Sequence, residues 1–272
     1  MKVQDKTIVV TGGGSGIGRQ LVLELLARGA RVAAVDLNAE NLQATLALVG
    51  ANRERLSTHV LNIADLKAVE ALPKAVIDAH GSVDGVINNA GIIQKFVPFK
   101  DLSLAEIERV MNINFYGAIY MIQAFLPYLL QRPAAHIVNI ASMGSFLPVP
   151  GQTIYGSSKA AVKLFTEGLD SELSETNVRV TVVFPGAINT NITVNSGLMT
   201  QTEKESHKSG HKMTNPDVAA RTIVNGIEKD KHRLTVGPDA AMMDLLSRLA
   251  PVFAAKVIYR NMKGLLKSPP AA

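Results

Sequence analysis

The strongest constraint on the fold is a regular alternation of short apolar runs with longer stretches of helical periodicity. Such an alternation is typical of strand–helix units arranged around a parallel sheet. Because the short runs are almost continuously apolar, helices should cover each strand on both faces. The sequence therefore predicts an α/β doubly wound parallel sheet of about seven strands. The runs, rich in Val, Ile and Ala, occur near residues 6–11, 31–36, 56–61, 84–88, 135–141, 178–184 and 232–236.

No internal repeat and no Gly/Ser-rich linker divides the chain, so we expect residues 1–272 to form a single domain. The longest connection, residues 189–215, leads to a helix that should begin at Pro216, where proline suits the first helical position. Connections of about 25 residues are usually lids or binding segments, and we expect this one to cover a substrate. Residues 239–272 extend beyond what the fold needs and should form a C-terminal helical extension.

Composition excludes several classes of protein. Hydrophobic residues make up 47% of the chain and charged residues 19%, as in ordinary globular proteins. The absence of cysteine excludes disulfides and thiolate metal sites and favours a cytoplasmic location. No apolar run reaches the length of about 18 residues that a membrane span needs. The formal charge is +5, but basic patches with interleaved aromatic residues are missing from the first 230 residues, which argues against nucleic-acid binding.

One histidine pair has a spacing that zinc ligands use. His207 and His211 are four residues apart, as on one face of a helix. No third ligand is evident nearby, so we predict no metal site.

A glycine-rich turn, TGGGSGIG, spans residues 11–18 directly between the first strand and the first helix. In this position backbone N–H groups approach a pyrophosphate, and the helix N-terminus adds partial positive charge. The alternative is a tight turn that binds nothing. The second strand ends at an acidic residue, as in the dinucleotide sites of Rossmann folds, and this observation favours a dinucleotide site over an empty turn. The predicted contacts in the turn are Gly12, Ser15, Gly16, Ile17 and Gly18, whose glycines lack the side chains that would block the approach.

The acidic residue is Asp36, 18 residues beyond Gly18, where a carboxylate can accept hydrogen bonds from the adenosine ribose hydroxyls. A 2′-phosphate would face this carboxylate, at a cost of about 4 kcal/mol as an upper-range estimate. We therefore expect NAD as the cofactor. NADP is the alternative, because Arg19 lies nearby in the sequence.

Tyr155 and Lys159 are four residues apart at the start of an apolar-periodic helix, which places them on one face. Hydride transfer to a carbonyl needs a proton donor, and the reverse reaction needs a base. A phenol with a pKa of about 10 serves both directions near neutrality if its pKa falls by roughly two to three units. The Lys159 ammonium and an oxidised nicotinamide ring are the expected causes. Ser142 follows the fifth strand and would hold the substrate oxygen against Tyr155.

These residues together resemble the short-chain dehydrogenase/reductase family, in its single-domain branch, over roughly residues 5–240. The resemblance implies an oxidoreductase that transfers hydride between NAD and a secondary alcohol or ketone. The spacing between Tyr155 and Lys159 favours carbonyl chemistry, because the enoyl-reductase branch spaces the pair more widely. The motifs are Thr11-Gly12 with Gly16 and Gly18, Asn88-Asn89-Ala90-Gly91, Asn114, Ser142, Tyr155, Lys159, and Pro185-Gly186 with Thr190.

The resemblance also implies roles for individual residues. The catalytic tetrad would be Asn114, Ser142, Tyr155 and Lys159, with the asparagine distorting its helix and holding a water that links the lysine to solvent. Lys159 would also bind the nicotinamide ribose. One departure occurs at Asn62, where the family usually has an aspartate that contacts the adenine amino group, although an amide oxygen can accept the same hydrogen bond. The other implied cofactor contacts are Ile63, Asn89, Ala90, Gly91, Pro185, Gly186, Ile188 and Thr190.

Many apolar residues surround the expected cleft. They indicate an apolar substrate, such as a steroid, a retinoid, a fatty acyl group or a bulky ketone. The alternative is that these side chains pack the core. The residues are Ile92, Ile93, Phe96, Val97 and Phe99 after the fourth strand, Met143, Phe146, Leu147 and Val149 after Ser142, and Ile192, Val194, Leu198 and Met199 in the expected lid.

The second half of the extension, residues 252–267, has an apolar stripe opposite a basic one. Such a helix can lie on an anionic membrane surface. The alternative is that its apolar stripe packs over the substrate entrance or a neighbouring subunit, with the charges in solvent. The apolar stripe is Ala254, Ile258, Met262 and Leu265, and the basic stripe is Lys256, Arg260, Lys263 and Lys267.

Two expectations concern the whole protein. The family resemblance implies a homodimer or homotetramer formed through the helix that carries Tyr155. A competing function is a catalytically silent dinucleotide-binding sensor or scaffold, since fold alone does not establish activity. That function predicts a damaged tetrad, whereas all four residues are present.

Overall fold

The computed structural model describes residues 1–200, 202 and 213–267. Its strands are β1 (Thr7–Thr11), β2 (Arg31–Asp36), β3 (Leu56–Val60), β4 (Gly85–Asn88), β5 (Ala135–Ile140), β6 (Val178–Pro185) and β7 (Arg233–Val236). Within the described residues they form one parallel sheet in the order β3-β2-β1-β4-β5-β6-β7. Each predicted strand agrees to within one residue at either end, and the doubly wound parallel sheet is confirmed.

Helices cover both faces of this sheet. They are α1 (Gly16–Ala27), α2 (Ala39–Ala47), α3 (Leu66–His80), α4 (Leu104–Met111), α5 (Gly117–Leu129), α6 (Thr153–Glu172), α7 (Ile192–Asn195), α8 (Pro216–Glu228), α9 (Pro238–Leu249) and α10 (Pro251–Met262). A π-helical segment, Asn112–Tyr116, joins α4 to α5. Single 3₁₀ turns occur at Gly50–Arg55, Phe99–Asp101, Met143–Ser145 and Lys263–Lys267.

The core lies in two layers, one on each face of the sheet. Ile8 and Val10 of β1 belong to the layer that α1, α2 and α8 cover. Val9, between them, points the other way into the layer that α3, α5 and α6 cover, where Phe125 is fully buried. Both sets of side chains are removed from water, which stabilises each by about 1.5–3 kcal/mol. This two-sided burial explains why the strands read as continuous apolar runs.

The strand order reverses direction at the centre of the sheet. β1 pairs with β2 on one side and with β4 on the other, so that Val10 is opposite both Ala34 and Ile87. The connections leaving β1 and β4 therefore diverge at the carboxyl end of the sheet. In open parallel sheets a ligand cleft forms at this point.

The two segments that the sequence set apart have definite structure where they are described. In the connection 189–215, α7 follows Asn191, and Ile188 pairs with Thr214 in a parallel bridge. α8 begins at Pro216, as predicted. His207 and His211 lie outside the described residues. The extension consists of α9 and α10, which Pro251 divides as expected.

The described residues contain neither a membrane-spanning helix nor a metal-binding cluster. No helix there is both long enough and apolar enough to cross a membrane. In the same part of the chain no group of three or more His, Asp or Glu side chains is placed to hold a metal ion.

Candidate active site

A cleft of about 890 Å³ opens at the carboxyl ends of the central strands. It brings together most of the residues that the sequence assigned to cofactor binding and catalysis. Gly18 and Asn114 are the predicted site residues that do not line it. Those that do are Gly12, Ser15, Gly16, Ile17, Asp36, Asn62, Ile63, Asn89, Ala90, Gly91, Ser142, Tyr155, Lys159, Pro185, Gly186, Ile188 and Thr190.

Two glycines of the turn need conformations that other residues rarely adopt. Gly12 has φ +67° and Gly16 has φ +52°, both in the left-handed region. Gly18 has a different role from the one predicted. A Cβ atom there would lie 2.0 Å from the carbonyl oxygen of Gly12, so this glycine lets α1 pack against the turn and does not itself face the cleft.

Hydrogen bonds from Thr11 tie the end of β1 to the loop that follows β4. Its Oγ1 accepts the N–H groups of Asn89 and Ala90, both at 3.0 Å. The Asn89 side-chain amide donates in return to the Thr11 carbonyl at 2.9 Å. The sequence motif gave Thr11 no role of its own. In the structure it fixes two walls of the cleft relative to each other.

Asp36 is held at the edge of the cleft by backbone groups. Its Oδ2 accepts the N–H of Gly14 at 2.9 Å, and its Oδ1 accepts the N–H of Asn38 at 3.0 Å. The Arg19 guanidinium donates to the Gly14 carbonyl at 2.5 Å and to Thr45 Oγ1 at 3.0 Å. Arg19 is thereby engaged with neutral acceptors, and it is not among the described residues that line the cleft.

Asn62, the departure from the family pattern, has one acceptor contact already. Its Oδ1 accepts the N–H of Ala64 at 3.0 Å. A carbonyl oxygen has two lone pairs, so the same atom can accept a second hydrogen bond from the cleft.

Tyr155 and Lys159 lie one turn apart near the start of α6 and both face the cleft. Ser142, which follows β5, lines the same wall and acts to lower the pKa of the Tyr155 hydroxyl. Ser142 Oγ accepts the N–H of Gly144 at 3.1 Å, which orients the hydroxyl. Lys159 Nζ donates to the carbonyl oxygen of Ile140 at 2.9 Å. The structure thus brings three of the four predicted catalytic residues to one wall.

The pKa of Tyr155 differs from the sequence-based expectation. Burial raises this pKa, and the hydrogen bond with Ser142 offsets the increase only in part. Burial also lowers the pKa of Lys159 to about 8. Removing either charged form from water is unfavourable, so the groups of the protein alone do not produce the lowered phenol pKa that we expected. The positive ring of an oxidised nicotinamide is the remaining expected cause.

Asn114 lies behind the cleft wall, within the π-helical segment. Its Oδ1 accepts the N–H of Ile92 and its Nδ2 donates to the Ile92 carbonyl, each at 2.9 Å. Nδ2 also donates to Ser158 Oγ at 3.0 Å. A Cβ atom on Gly91 would lie 3.1 Å from Lys159 Nζ and 3.2 Å from Asn114 Oδ1. Asn114 therefore joins the loop after β4 to α6 beside the lysine, at a helix distortion of the kind that the resemblance implied.

Gln94 is a residue that sequence analysis missed. It is fully buried, and its Oε1 accepts the N–H groups of Ile154 and Tyr155 at 2.7 and 3.0 Å. Its Nε2 donates to the Gly151 carbonyl at 3.0 Å. The first N–H groups of a helix have no partner within the helix, so Gln94 satisfies two of them on α6 and fixes the residue that carries the phenol.

Helix α7 of the connection 189–215, with the residue that follows it, is hydrogen-bonded to both sides of the cleft. Asn195 Nδ2 donates to Ser15 Oγ of the glycine turn at 2.7 Å. On the other side, Ser196 Oγ accepts the N–H of Ile93 at 3.0 Å. The described part of the lid thus bridges the glycine turn and the loop after β4.

About half of the apolar residues proposed for the substrate line the cleft, and the rest do not. Phe146 and Leu147 pack into clusters with neighbouring elements, and Phe99 is exposed. The structure adds Met213 and Met262 to the lining. The expected residues that line the cleft are Ile92, Ile93, Phe96, Met143, Val149, Ile192 and Met199.

The C-terminal extension packs over the loop that follows Ser142. Ala254 and Ile258 of α10 are buried in a cluster with Leu147 and Met243, and Met262 packs against them. The apolar stripe was expected either to lie on a membrane or to pack over the substrate entrance or a neighbouring subunit. Its members Ala254, Ile258 and Met262 pack next to the cleft. This stripe is therefore not the surface that would meet a membrane.

Comparison with known proteins identifies the family. Residues 6–201 match the short chain dehydrogenase family. The chain belongs to this family. The Mycobacterium tuberculosis H37Rv oxidoreductase SadH is 38% identical to this short-chain dehydrogenase over 252 residues, which cover 90% of this chain and 91% of SadH.

Solved structures agree with this assignment. A short-chain dehydrogenase/reductase from Burkholderia phymatum in complex with NAD has a TM-score of 0.79 and 23% identity, over 100% of this chain and 98% of that chain. A serine dehydrogenase complexed with NADP+ has a TM-score of 0.78 and 26% identity, over 85% and 94%. These two structures carry different nicotinamide cofactors, so the comparisons show the family and fold without choosing between NAD and NADP.

The contacts of Gln94 generate a stability prediction. Gln94→Leu would leave the N–H groups of Ile154 and Tyr155 without this partner, each at a cost of about 1–3 kcal/mol, whereas the Gly151 carbonyl keeps its hydrogen bond from Gln152. We expect the free energy of unfolding, measured by urea titration, to fall by about 2–5 kcal/mol. Gln131→Leu, which changes an exposed glutamine on the surface, is the control and should change it by less than about 0.5 kcal/mol. Equal stabilities would contradict the role of Gln94.

The pKa of Lys159 generates a prediction for pH dependence. Because burial lowers this pKa from 10.5 to about 8, the unfolded chain binds a proton between these values that the folded protein has released. The destabilising contribution is fully present below about pH 8 and is relieved as pH rises, by up to about 1.4 kcal/mol per unit. Relative to Lys159→Met, the wild-type protein should therefore gain unfolding free energy between about pH 8 and 10. A constant difference across this range would show that the pKa is not lowered.

Proposed function

We propose that this short-chain dehydrogenase transfers hydride between NAD and a secondary alcohol or ketone, with Tyr155 as the proton-transfer residue. The observation that carries the proposal is the arrangement of Tyr155. Tyr155 lies on the cleft wall that also presents Ser142 and Lys159. The glycine turn and Asp36 line the same cleft.

The residues fit a dinucleotide. Gly12 and Gly16 leave backbone exposed in the turn, where side chains would otherwise stand in the cleft. The turn leads into the N-terminus of α1, whose partial positive charge favours a pyrophosphate. When bound, the nicotinamide supplies or accepts the hydride. The residues placed to hold the cofactor are those of the turn, Asp36, Asn62, the loop after β4, Lys159, and Ile188 and Thr190.

The side chains on the cleft wall divide the remaining work. Ser142 holds the substrate oxygen by a hydrogen bond. Its hydroxyl is oriented by the N–H of Gly144 and lines the cleft beside Tyr155. In reduction, Tyr155 donates its proton to that oxygen as negative charge develops there, and in oxidation it accepts the proton from the alcohol. Lys159, a cation whose pKa burial lowers to about 8, would stabilise the phenolate. Asn114 lies beside Gly91, as the lysine ammonium does, where the family resemblance has it hold a water that relays protons.

Asp36 supports NAD over NADP. Its carboxylate is fixed by two backbone N–H groups, so it has little freedom to turn away from a 2′-phosphate. Arg19, the nearby cation that would favour NADP, is engaged with Gly14 and Thr45. Asp36 is therefore the charged side chain that this end of the cleft presents among the described residues.

The opposite end of the cleft supports an apolar substrate with one polar contact. Methionine and isoleucine side chains from the lid, the loop after β4 and α10 line it. Among them is Gln152, which is buried and whose Nε2 donates to the Gln94 carbonyl at 2.8 Å. Among the residues that the structure describes, no group forms a hydrogen bond with its Oε1. We infer that this oxygen accepts a hydrogen bond from a hydroxyl or N–H group of the substrate.

We also infer a homodimer or homotetramer that forms through α6. Leu164 on this helix is 70% exposed, and Tyr116 in the adjoining π-helical segment is 44% exposed. Burying such side chains against a second copy would remove apolar surface from water.

Tyr155→Phe tests the proposed mechanism. Removing the phenol oxygen should lower kcat by about 10²–10⁴-fold on a ketone that the wild-type protein reduces, because the general acid is lost. NADH affinity, measured by fluorescence, should change little. Tyr128→Phe, on the partly exposed surface of α5, is the matched control and should be silent. A panel of ketones graded by hydrophobicity supplies the substrate.

Two results would overturn the proposal. Undiminished turnover by Tyr155→Phe would exclude Tyr155 as the proton donor. NADH binding by the wild-type protein without turnover of any alcohol or ketone would favour the silent sensor. If small polar alcohols were turned over best, the proposal of an apolar substrate would be wrong, and the proposed role of Tyr155 would be unaffected.

Asp36→Asn tests the cofactor preference. The substitution removes the charge, keeps the shape and retains an acceptor. The ratio of NADPH to NADH dissociation constants, from fluorescence titration, should fall by about 10–100-fold, equivalent to about 1.4–2.8 kcal/mol of lost repulsion. Asp78→Asn, on the exposed surface of α3, is the charge-matched control. A wild-type protein that binds NADPH as tightly as NADH would refute the preference.

A further inference from the structure

The net positive charge of this protein is concentrated in residues 245–267 of the C-terminal extension. Residues 245–267 contain five Lys and Arg residues and no Asp or Glu. The other 23 Lys and Arg residues of the chain are balanced by its 23 Asp and Glu residues. One short segment therefore accounts for the whole formal charge of +5. Its basic residues are Arg248, Lys256, Arg260, Lys263 and Lys267.

Most of this charge has no acidic partner. Arg248 pairs with the buried Asp244 at 2.8 Å. Lys256, Arg260 and Lys263 are exposed and make no ion pair with any residue in the described part of the chain. Their charges consequently attract anions from solution.

The outward face of α10 mixes these cations with apolar side chains. Val252, Lys256, Tyr259 and Lys263 recur at intervals of four, three and four residues, which places them in one stripe. Val252 is 69% exposed and Tyr259 is 55% exposed. The buried stripe that packs beside the cleft lies on the opposite side of the same helix.

The junction of α9 and α10 adds a cluster of protruding apolar residues. Leu245 and Leu249 are 55% and 76% exposed, and Phe253 is 57% exposed. These three side chains protrude into solvent. Together with the outward stripe of α10 they form what we call the junction surface: Leu245, Leu249, Val252, Phe253, Lys256, Tyr259, Arg260 and Lys263.

We propose that the junction surface binds an anionic lipid bilayer. Apolar and aromatic side chains flanked by Lys and Arg are the combination that settles at a membrane interface, with the apolar groups in the acyl boundary and the cations at the headgroups. A second copy of the chain is a poorer occupant. In a two-fold contact this surface would meet itself, which brings like charges together.

The position of α10 connects this inference to the proposed function, on which the following step rests. Met262, on the inward side of α10, lines the apolar end of the cleft. The helix therefore contacts the bilayer with one face and the substrate end of the cleft with the other. An apolar substrate dissolved in the membrane would reach the cleft without crossing bulk water.

Vesicle flotation of the full-length protein tests the proposal without any substrate or cofactor. We expect the protein to float with phosphatidylcholine vesicles containing about 30% phosphatidylglycerol and not with pure phosphatidylcholine, since each basic residue near an anionic surface strengthens binding by about fivefold. The variant Lys256→Ala/Arg260→Ala/Lys263→Ala should bind about a hundredfold more weakly. The matched control, Lys67→Ala/Lys74→Ala/Lys229→Ala, removes the same charge from exposed sites elsewhere and should bind as the wild type does.

A fluorescence experiment tests insertion of the apolar residues. The chain has no tryptophan, so Phe253→Trp introduces a single reporter at the junction surface. Its emission should shift to shorter wavelength on addition of anionic vesicles. Leu48→Trp, on an exposed position after α2, should not shift.

The remaining outcomes overturn the proposal. These are no flotation with anionic vesicles, equal loss of binding in the two triple variants, or self-association that the first triple variant abolishes without any flotation. The last result would assign the junction surface to a second copy. None of them bears on Tyr155, because flotation is independent of turnover.

Discussion

The short loop that follows β4 holds the other parts of the site in place. Asn89 is bonded to Thr11 at the end of β1, Ile92 to Asn114 in the π-helical segment, Ile93 to Ser196 at the end of α7, and Gln94 to the first turn of α6. Six consecutive residues thus fix the glycine turn, the helix distortion, the lid and the phenol relative to one another. The loop is itself anchored to β4, which is fully buried in the sheet.

The loop after β4 and the pair Tyr155 and Lys159 differ in how well the protein alone stabilises them. Side chains from other elements satisfy the N–H groups of Asn89, Ala90, Ile92 and Ile93 and the carbonyls of Ile92 and Gln94, so these groups do not depend on a ligand for their hydrogen bonds. Tyr155 and Lys159 are different, because burial opposes the charged form of both. A positive ring placed beside them would favour the phenolate of Tyr155 and disfavour the ammonium of Lys159. Their unfavourable state before ligand binding is therefore consistent with a proton-transfer role.

The sequence was sufficient for the sheet and for the residue types of the site, and insufficient for how they are supported. Continuous apolar runs determine strands that are buried on both faces, so all seven were recognised. The contacts of Gln94 depend on the approach of two segments 60 residues apart, and a single glutamine carries no periodic signal. The packing of Gly18 against the turn and the effect of burial on the Tyr155 pKa were not foreseen for a related reason, since both follow from the close packing of neighbouring atoms. The inward stripe of α10 was recognised, but sequence alone left its partner open.

The hydrogen bond between Asn195 and Ser15 has a kinetic consequence. It spans the opening between the lid and the glycine turn, and a net hydrogen bond of this kind contributes only about 0.5–1.5 kcal/mol. Such a latch opens easily and recloses quickly, so it delays escape without preventing entry. If a coenzyme binds beneath it, this pair of side chains would slow the departure of that coenzyme by no more than about tenfold, although it is far from the atoms that react.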